Sequence, residues 1–289
     1  MVSPNDGLHL PPPWISPAAG KPDREVRPVI TVERRRVAVG GYDTDAQTYI
    51  TAVEAADGQA LETAVRNAIN AFVVGCKADG IWTAIKASCI MAGARTRAGA
   101  LVPLVGPVPT EFGTAGGWDY NRITGINGNG TDNYIDTGRS NASQGQNNIH
   151  LSVMLSTVGS ESNPYYIGAS TSGFGVISAI GLNGMFSNNS GQFGTAGRPY
   201  PPGFHAHSRS GTQVQIKRPS AAAFTDTITS TTPPNSNFFI FNINNAGTPG
   251  SQWSSAKVNF YSIGDSLPDV TSLEARVATL INAYSDAIQ

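Results

Sequence analysis

The chain has 289 residues, a formal net charge of -1 and a pI near 6.4, so no global field recruits nucleic acid or an anionic membrane. Charged residues make up only 13%, well below the roughly 25% of an ordinary soluble domain, and 32 glycines and 19 prolines are present instead. Such a chain stays soluble through neutral polar side chains and turns, a pattern that suits β-rich virion and extracellular proteins better than cytosolic enzymes.

The first stretch, "MVSPNDGLHLPPPW", has neither a basic n-region nor an apolar h-region, so it does not read as a signal peptide. The longest apolar run, "AGALVPLVG" from Ala98, is too short and too interrupted by proline to span a bilayer, and no membrane insertion is expected. Residues 1–41 read as an extended, proline-rich docking arm, because each proline fixes φ and removes a donor. Within it Arg34, Arg35 and Arg36 are the candidate contacts to a partner. Three arginines also fit a merely solvated strand. The arm has too little apolar content to fold alone, so another subunit is expected to order it.

Residues 42–106 read as a small helical module. Asp43 can cap a helix with Ala46, Tyr49, Ile50 and Val53 on one face, and Asp57-Gly58 breaks it. Leu61, Val65, Ala68, Ile69, Phe72, Val73 and Cys76 stripe a second helix, which Asp79-Gly80 breaks. A third is expected with Ile81, Trp82, Ile85 and Cys89 inward, completing a bundle. On this layout Cys76 and Cys89 are two buried thiols, with no disulfide framework.

From residue 107 the period changes to two. "NIHLSVMLSTV" sets Ile149, Leu151, Val153 and Leu155 on one face, and "TQVQIK", "NFFIFNI" and "AKVNFYSIG" repeat the alternation. Short strands separated by Gly, Asn, Ser and Pro predict a mainly β fold, an antiparallel sandwich over 107–289. A terminal helix closes it, with Val270, Leu273, Val277, Leu280, Ile281 and Tyr284 as its stripe and Ser266 or Thr271 as its cap.

Three segments, "NAFVVGCKADGIWTAIKASCIMAGARTRAGALVPLVG", "DYNRITGINGNGTDNYIDTG" and "KVNFYSIGDSL", resemble a family of phage virion proteins. In that family a small helical module precedes a concanavalin A/laminin G-like jelly roll, in tail-fibre, receptor-binding and other surface proteins. The resemblance covers about residues 43–288 and its motifs are architectural. It implies a jelly roll at a virion surface, assembled in the host cytoplasm as a homo-oligomer, trimer or pentamer. The implied partners are other virion proteins, through the arm and helices, and host surface polysaccharide. It implies no catalytic residue and no cofactor. Purely structural head-decoration or baseplate roles, and a polysaccharide depolymerase, stand as alternatives.

In "GINGNGTDNYIDTG" the resemblance places the entry into the sandwich, a turn followed by a strand through Tyr134 and Ile135. Asn-Gly pairs supply the positive φ of tight turns. Asn127, Asn129 and Asp132 are only a partial calcium set, with no glutamate at the bidentate position, and no Gly-Lys-Ser/Thr step marks a phosphate loop. "GRPYPPGFHAHSRS" reads as an exposed loop that gathers flat rings and polar forks, so Tyr200, Phe204, His205 and His207 are the candidate glycan contacts. Two histidines at i, i+2 lack a third metal ligand nearby, and no metal site is expected. Jelly-roll glycosidases need paired acids. From residue 107 onward only three glutamates occur, Glu111, Glu161 and Glu274, and neither a nucleophile elbow nor a zinc motif is present. The chain reads as a non-enzyme.

Overall fold

The computed structural model describes residues 41–181, 184–190 and 201–288. Gly41 to Gln289 form one compact unit. The arm, with Arg34, Arg35 and Arg36, lies outside the described residues, and so does Tyr200.

Two helices lead, α1 (Thr44–Asp57) and α2 (Thr63–Ala78). Asp43 caps α1 by accepting from the Asp45 N–H at 3.0 Å, and Gly58 ends it at φ 65°. The expected third helix does not form. A single turn over Trp82–Ala84 passes into a strand, β1 (Ile85–Ile90), with Lys86 its only residue that is not buried. A short apolar run buried on both faces has no period to separate strand from helix, and neighbouring strands on both edges of β1 decide the matter here. Thus the segment from 42 to 106 supplies two strands, Ile85–Ile90 and Pro103–Val105, to the sandwich itself.

A single turn, α3 (Arg97–Ala100), and eleven short strands follow: β2 (Pro103–Val105), β3 (Thr110–Phe112), β4 (Asp119–Asn121), β5 (Gly125–Asn127), β6 (Tyr134–Ser140), β7 (Asn148–Thr157), β8 (Tyr165–Ser170), β9 (Ile177–Gly181), β10 (Gly184–Asn189), β11 (Gly203–Ser210) and β12 (Gln213–Lys217). The chain finishes with β13 (Phe224–Thr227), β14 (Asn237–Ile240), β15 (Asn244–Asn245), β16 (Thr248–Pro249), β17 (Lys257–Gly264) and α4 (Val270–Ala287).

The strands make a jelly-roll-type sandwich of two sheets. One runs β13-β12-β11-β7-β17-β1-β2 with β5 and β4 beside β17; the other runs β10-β9-β8-β14-β6-β3 with β15 and β16 beside β8. Pairing is antiparallel except between β15 and β8. In β7 the expected Ile149, Leu151, Val153 and Leu155 are all buried, and so are His150 and Ser152 of the opposite face. The cause is a third layer. Helices α2 and α4 pack on each other and on the first sheet, where Phe72 meets Phe260 edge-on at 5.7 Å. All six predicted stripe residues of α4 are buried, but its cap is Asp269, which accepts from the Thr271 N–H at 2.9 Å.

Cys76 and Cys89 are free and buried. The Cys89 thiol lies 3.0 Å from the Ala100 carbonyl oxygen and 3.2 Å from that of Val102, and burial pushes it well above the usual thiol range. Thiol titration is therefore expected to find both groups only after unfolding, without reductant. Rapid reaction of either thiol in the native state would contradict this packing.

Arg209, on β11, is fully buried and forms no ion pair among the described residues. Its guanidinium donates to backbone oxygens of Ser187 at 2.6 Å, Ile228 at 2.6 Å and Gly211 at 3.2 Å, so it ties β10 of one sheet to β11 of the other.

Candidate functional site

The glycan contacts expected on "GFHAHSRS" are overturned. Phe204, His205 and His207 form part of β11, paired on both sides by β7 and β12, and are 3%, 0% and 0% exposed. The flanking Gly and Pro read as a loop, yet the segment is buried on both faces and lies in mid-sheet. The His205 Nε2 is 3.0 Å from the Pro201 carbonyl oxygen, and its ring is 6.1 Å from that of Tyr166. Burial lowers the pKa of His205 to about 4 and that of His207 to about 3. His150 is similarly held at about 4, with Nε2 2.7 Å from Ser262 Oγ. That spacing suits a nucleophile and base, but both residues are 0% exposed and closed to any substrate.

The glycine-rich segment is a turn between β5 and β6. Asn129 Oδ1 accepts from the backbone N–H groups of Thr131, Asp132 and Asn133 at 3.0–3.1 Å. Asp132 accepts from Asn129 Nδ2 through one oxygen and from Thr114 Oγ1, at 2.7 Å, through the other. These donors hold its carboxyl below the usual range. The Asn129 and Asp132 oxygens that a cation would need already serve the turn. Among the described residues no group of three or more His, Cys, Asp or Glu could hold a metal ion.

Beside this turn the outward face of the second sheet carries a row of rings from three neighbouring strands. Phe112 of β3 stacks on Tyr134 of β6 with centroids 4.9 Å apart and planes 9° apart, and Phe239 of β14 lies 4.5 Å beyond. Trp253, from the loop before β17, approaches Tyr134 at 6.2 Å. Phe112 is 42% exposed, and Tyr134 and Trp253 are half-buried.

Trp253 also walls a cleft of about 140 Å³, which Gly130, Glu161, Asn163 and Gln252 help to line. Three loops build it, from the turn after β5, the link from β7 to β8, and the approach to β17. Glu161 Oε1 accepts from the Ser255 N–H at 3.1 Å, while its Oε2 and the Gln252 Oε1 are buried without a hydrogen-bond partner. A Cβ at either Gly130 or Gly159 would overlap the Glu161 carboxylate, so both glycines let it lie against the backbone. The cleft is smaller than an enclosed small-molecule pocket. It sets the exposed polar side chains of Ser162, Asn163 and Ser251 beside a flat ring, which suits a hydroxylated ligand.

Sequence reasoning missed this site. Glu161 entered it only as one of three late glutamates, and Trp253 stood unremarked in "GSQWSS". A lone tryptophan in a polar loop is the one local signal that could have marked it.

No protein-family model matches the chain, and no curated protein matches it. Among solved structures, a sialidase from Streptococcus pneumoniae is 10% identical over 49% of this chain and 26% of its own, with TM-score 0.32. An α-L-arabinofuranosidase is 11% identical over 54% and 40%, with TM-score 0.31. Domain 4 of an extracellular arabinanase from Geobacillus stearothermophilus, in complex with arabinotriose, is 14% identical over 58% and 87%, with TM-score 0.30. The chain thus spans about a quarter of the sialidase and two fifths of the arabinofuranosidase. At such values these likenesses carry no argument about ligand or chemistry.

Proposed function

We propose that this chain is a non-catalytic surface protein of a phage-like particle whose sandwich contacts host glycan. The observation that carries the glycan reading is an aromatic row, exposed at Phe112 and half-buried at Tyr134 and Trp253, that runs into a polar cleft. Sugars present apolar C–H faces and hydroxyl edges together, and aromatic rings beside exposed polar side chains match both. Among the described residues the cleft lining holds a single carboxylate, Glu161, whereas glycoside cleavage takes two working as acid and base or nucleophile. Asp132, the acid of the adjoining turn, already accepts through both oxygens. Recognition without cleavage is the reading that fits.

The particle context rests on the resemblance of the three segments quoted above. In that setting the arm and its arginines attach the protein to other virion proteins, and several copies, as a trimer or pentamer, supply avidity to a weak individual site.

The full chain is expected to be retained on capsulated host cells and lost from capsule-stripped ones. Trp253→Ala should weaken retention about tenfold, the effect of one lost ring contact of roughly 1–2 kcal/mol. The thermal midpoint should move little, because the ring is half-buried. Equal retention on both kinds of cell would favour the head-decoration or baseplate role. Release of reducing sugar ends would favour a depolymerase.

A further inference from the structure

We infer that the site takes an internal stretch of polysaccharide, longer than one sugar residue, and passes over chain ends. This deepens the glycan reading and rests on it. The aromatic row and the cleft are two surfaces that meet at Trp253. Its ring lies 6.2 Å from that of Tyr134 and also walls the cleft, whose lining includes neither Tyr134 nor Phe112. Phe112 ends the row on the other side. Tyr134 covers one face of its ring, with the planes 9° apart, so the exposed surface of Phe112 is the opposite face and the rim. That face looks out past β3, the outermost strand of its sheet among the described residues. Val108 and Thr110, at alternate positions before it, are exposed as well.

A sugar stacked on the open face of Phe112 sits at one end of the site, and a sugar set against Ser162, Asn163 and Ser251 sits at the other. The Tyr134 and Trp253 rings stand between the two positions, so a single residue cannot fill both. Neither end is closed. The cleft, at about 140 Å³, is too small to enclose a terminal sugar, and those three polar residues are exposed. Recognising a chain end takes a pocket that buries the last residue and pairs the hydroxyl that marks it. An open track instead gives weak stacking and hydrogen bonds at separate points, which add along a chain.

The experiment is affinity electrophoresis of the full chain through gels carrying size-fractionated dextran, galactan, mannan, polygalacturonate or polysialate. At equal polymer mass, shorter chains present more ends and the same internal sequence. Where a polymer retards the wild type, long and short fractions should therefore do so equally, and the free monosaccharide should not relieve it. Phe112→Ala should weaken retardation about threefold to tenfold, the size of one ring contact. The thermal midpoint should move little, because the side chain is exposed on an edge strand. Retardation that rises in step with the number of chain ends overturns the inference. So does a Phe112→Ala variant that binds as wild type while Trp253→Ala is lost, although the glycan reading then survives. Retardation by no polymer at all overturns the glycan reading itself, and the inference with it.

Discussion

Arg209→Met is expected to destabilise the sandwich by about 3–5 kcal/mol, one of the largest effects open to a single substitution here. The guanidinium is fully buried, and it satisfies the Ser187, Ile228 and Gly211 carbonyl oxygens at once. Methionine fills much of the volume but leaves those acceptors without a donor, at about 1–3 kcal/mol each before relaxation. Partial relaxation and water entry bring the sum down to the stated range. Arg209→Lys restores the charge but not the planar fork that reaches separate acceptors, so it should recover only part of the loss. The thermal midpoint of Arg209→Met should fall by about 10 °C. A drop of only a degree or two would show that the two sheets do not depend on this link.

Acid should unfold the domain earlier than its carboxylates alone would dictate. His150, His205 and His207 are neutral in the fold, with pKa values of about 4, 4 and 3, whereas an unfolded histidine titrates near 6.5. Above about pH 6.5 neither state takes up these protons, and the histidines cost nothing. Below it the unfolded chain binds protons that the native state refuses, so stability falls as pH falls until the folded values are reached. Each histidine contributes up to about 1.4 kcal/mol per pH unit in that window. Together they can consume a typical domain stability of about 5–15 kcal/mol before pH 4. Glu62 acts in a different window. Its bonds from Arg122 hold it at about 2, so its stabilisation is complete above its ordinary carboxylate value and declines only below that. Urea titrations at pH 7.5, 6 and 5 should therefore show a steady loss of unfolding free energy. A flat profile across those three values would refute the assignment of three neutral buried histidines.

What the sequence disclosed depended on whether a segment keeps its apolar residues to one face. The stripe of α4 and the apolar face of β7 were legible because each alternates against something. Ile81 to Cys89 was misread because helices cover one face of β1 and the opposite sheet covers the other, which erases the period. For the same reason β11 passed for a loop. Its histidines and Arg209 are polar residues kept inside by backbone partners, and no local pattern announces those partners. The cleft was illegible for a further reason. Gly130, Glu161 and Trp253 come from three separate loops, and only strand order sets them side by side. Aromatic residues on β3, β6 and β14 likewise become one row only after pairing.

The place of β17 sets a timetable for synthesis. This strand lies between β7 and β1 in the first sheet, yet it is the last strand among the described residues. A nascent chain emerging from the ribosome has helices, hairpins and an exposed apolar sheet face, but no strand to join its two ends. Pairing across so long a separation is slow to form and leaves sticky intermediates in the meantime. Closure of the first sheet therefore waits until residue 264 has been made, and chains truncated before it are expected to aggregate or be degraded.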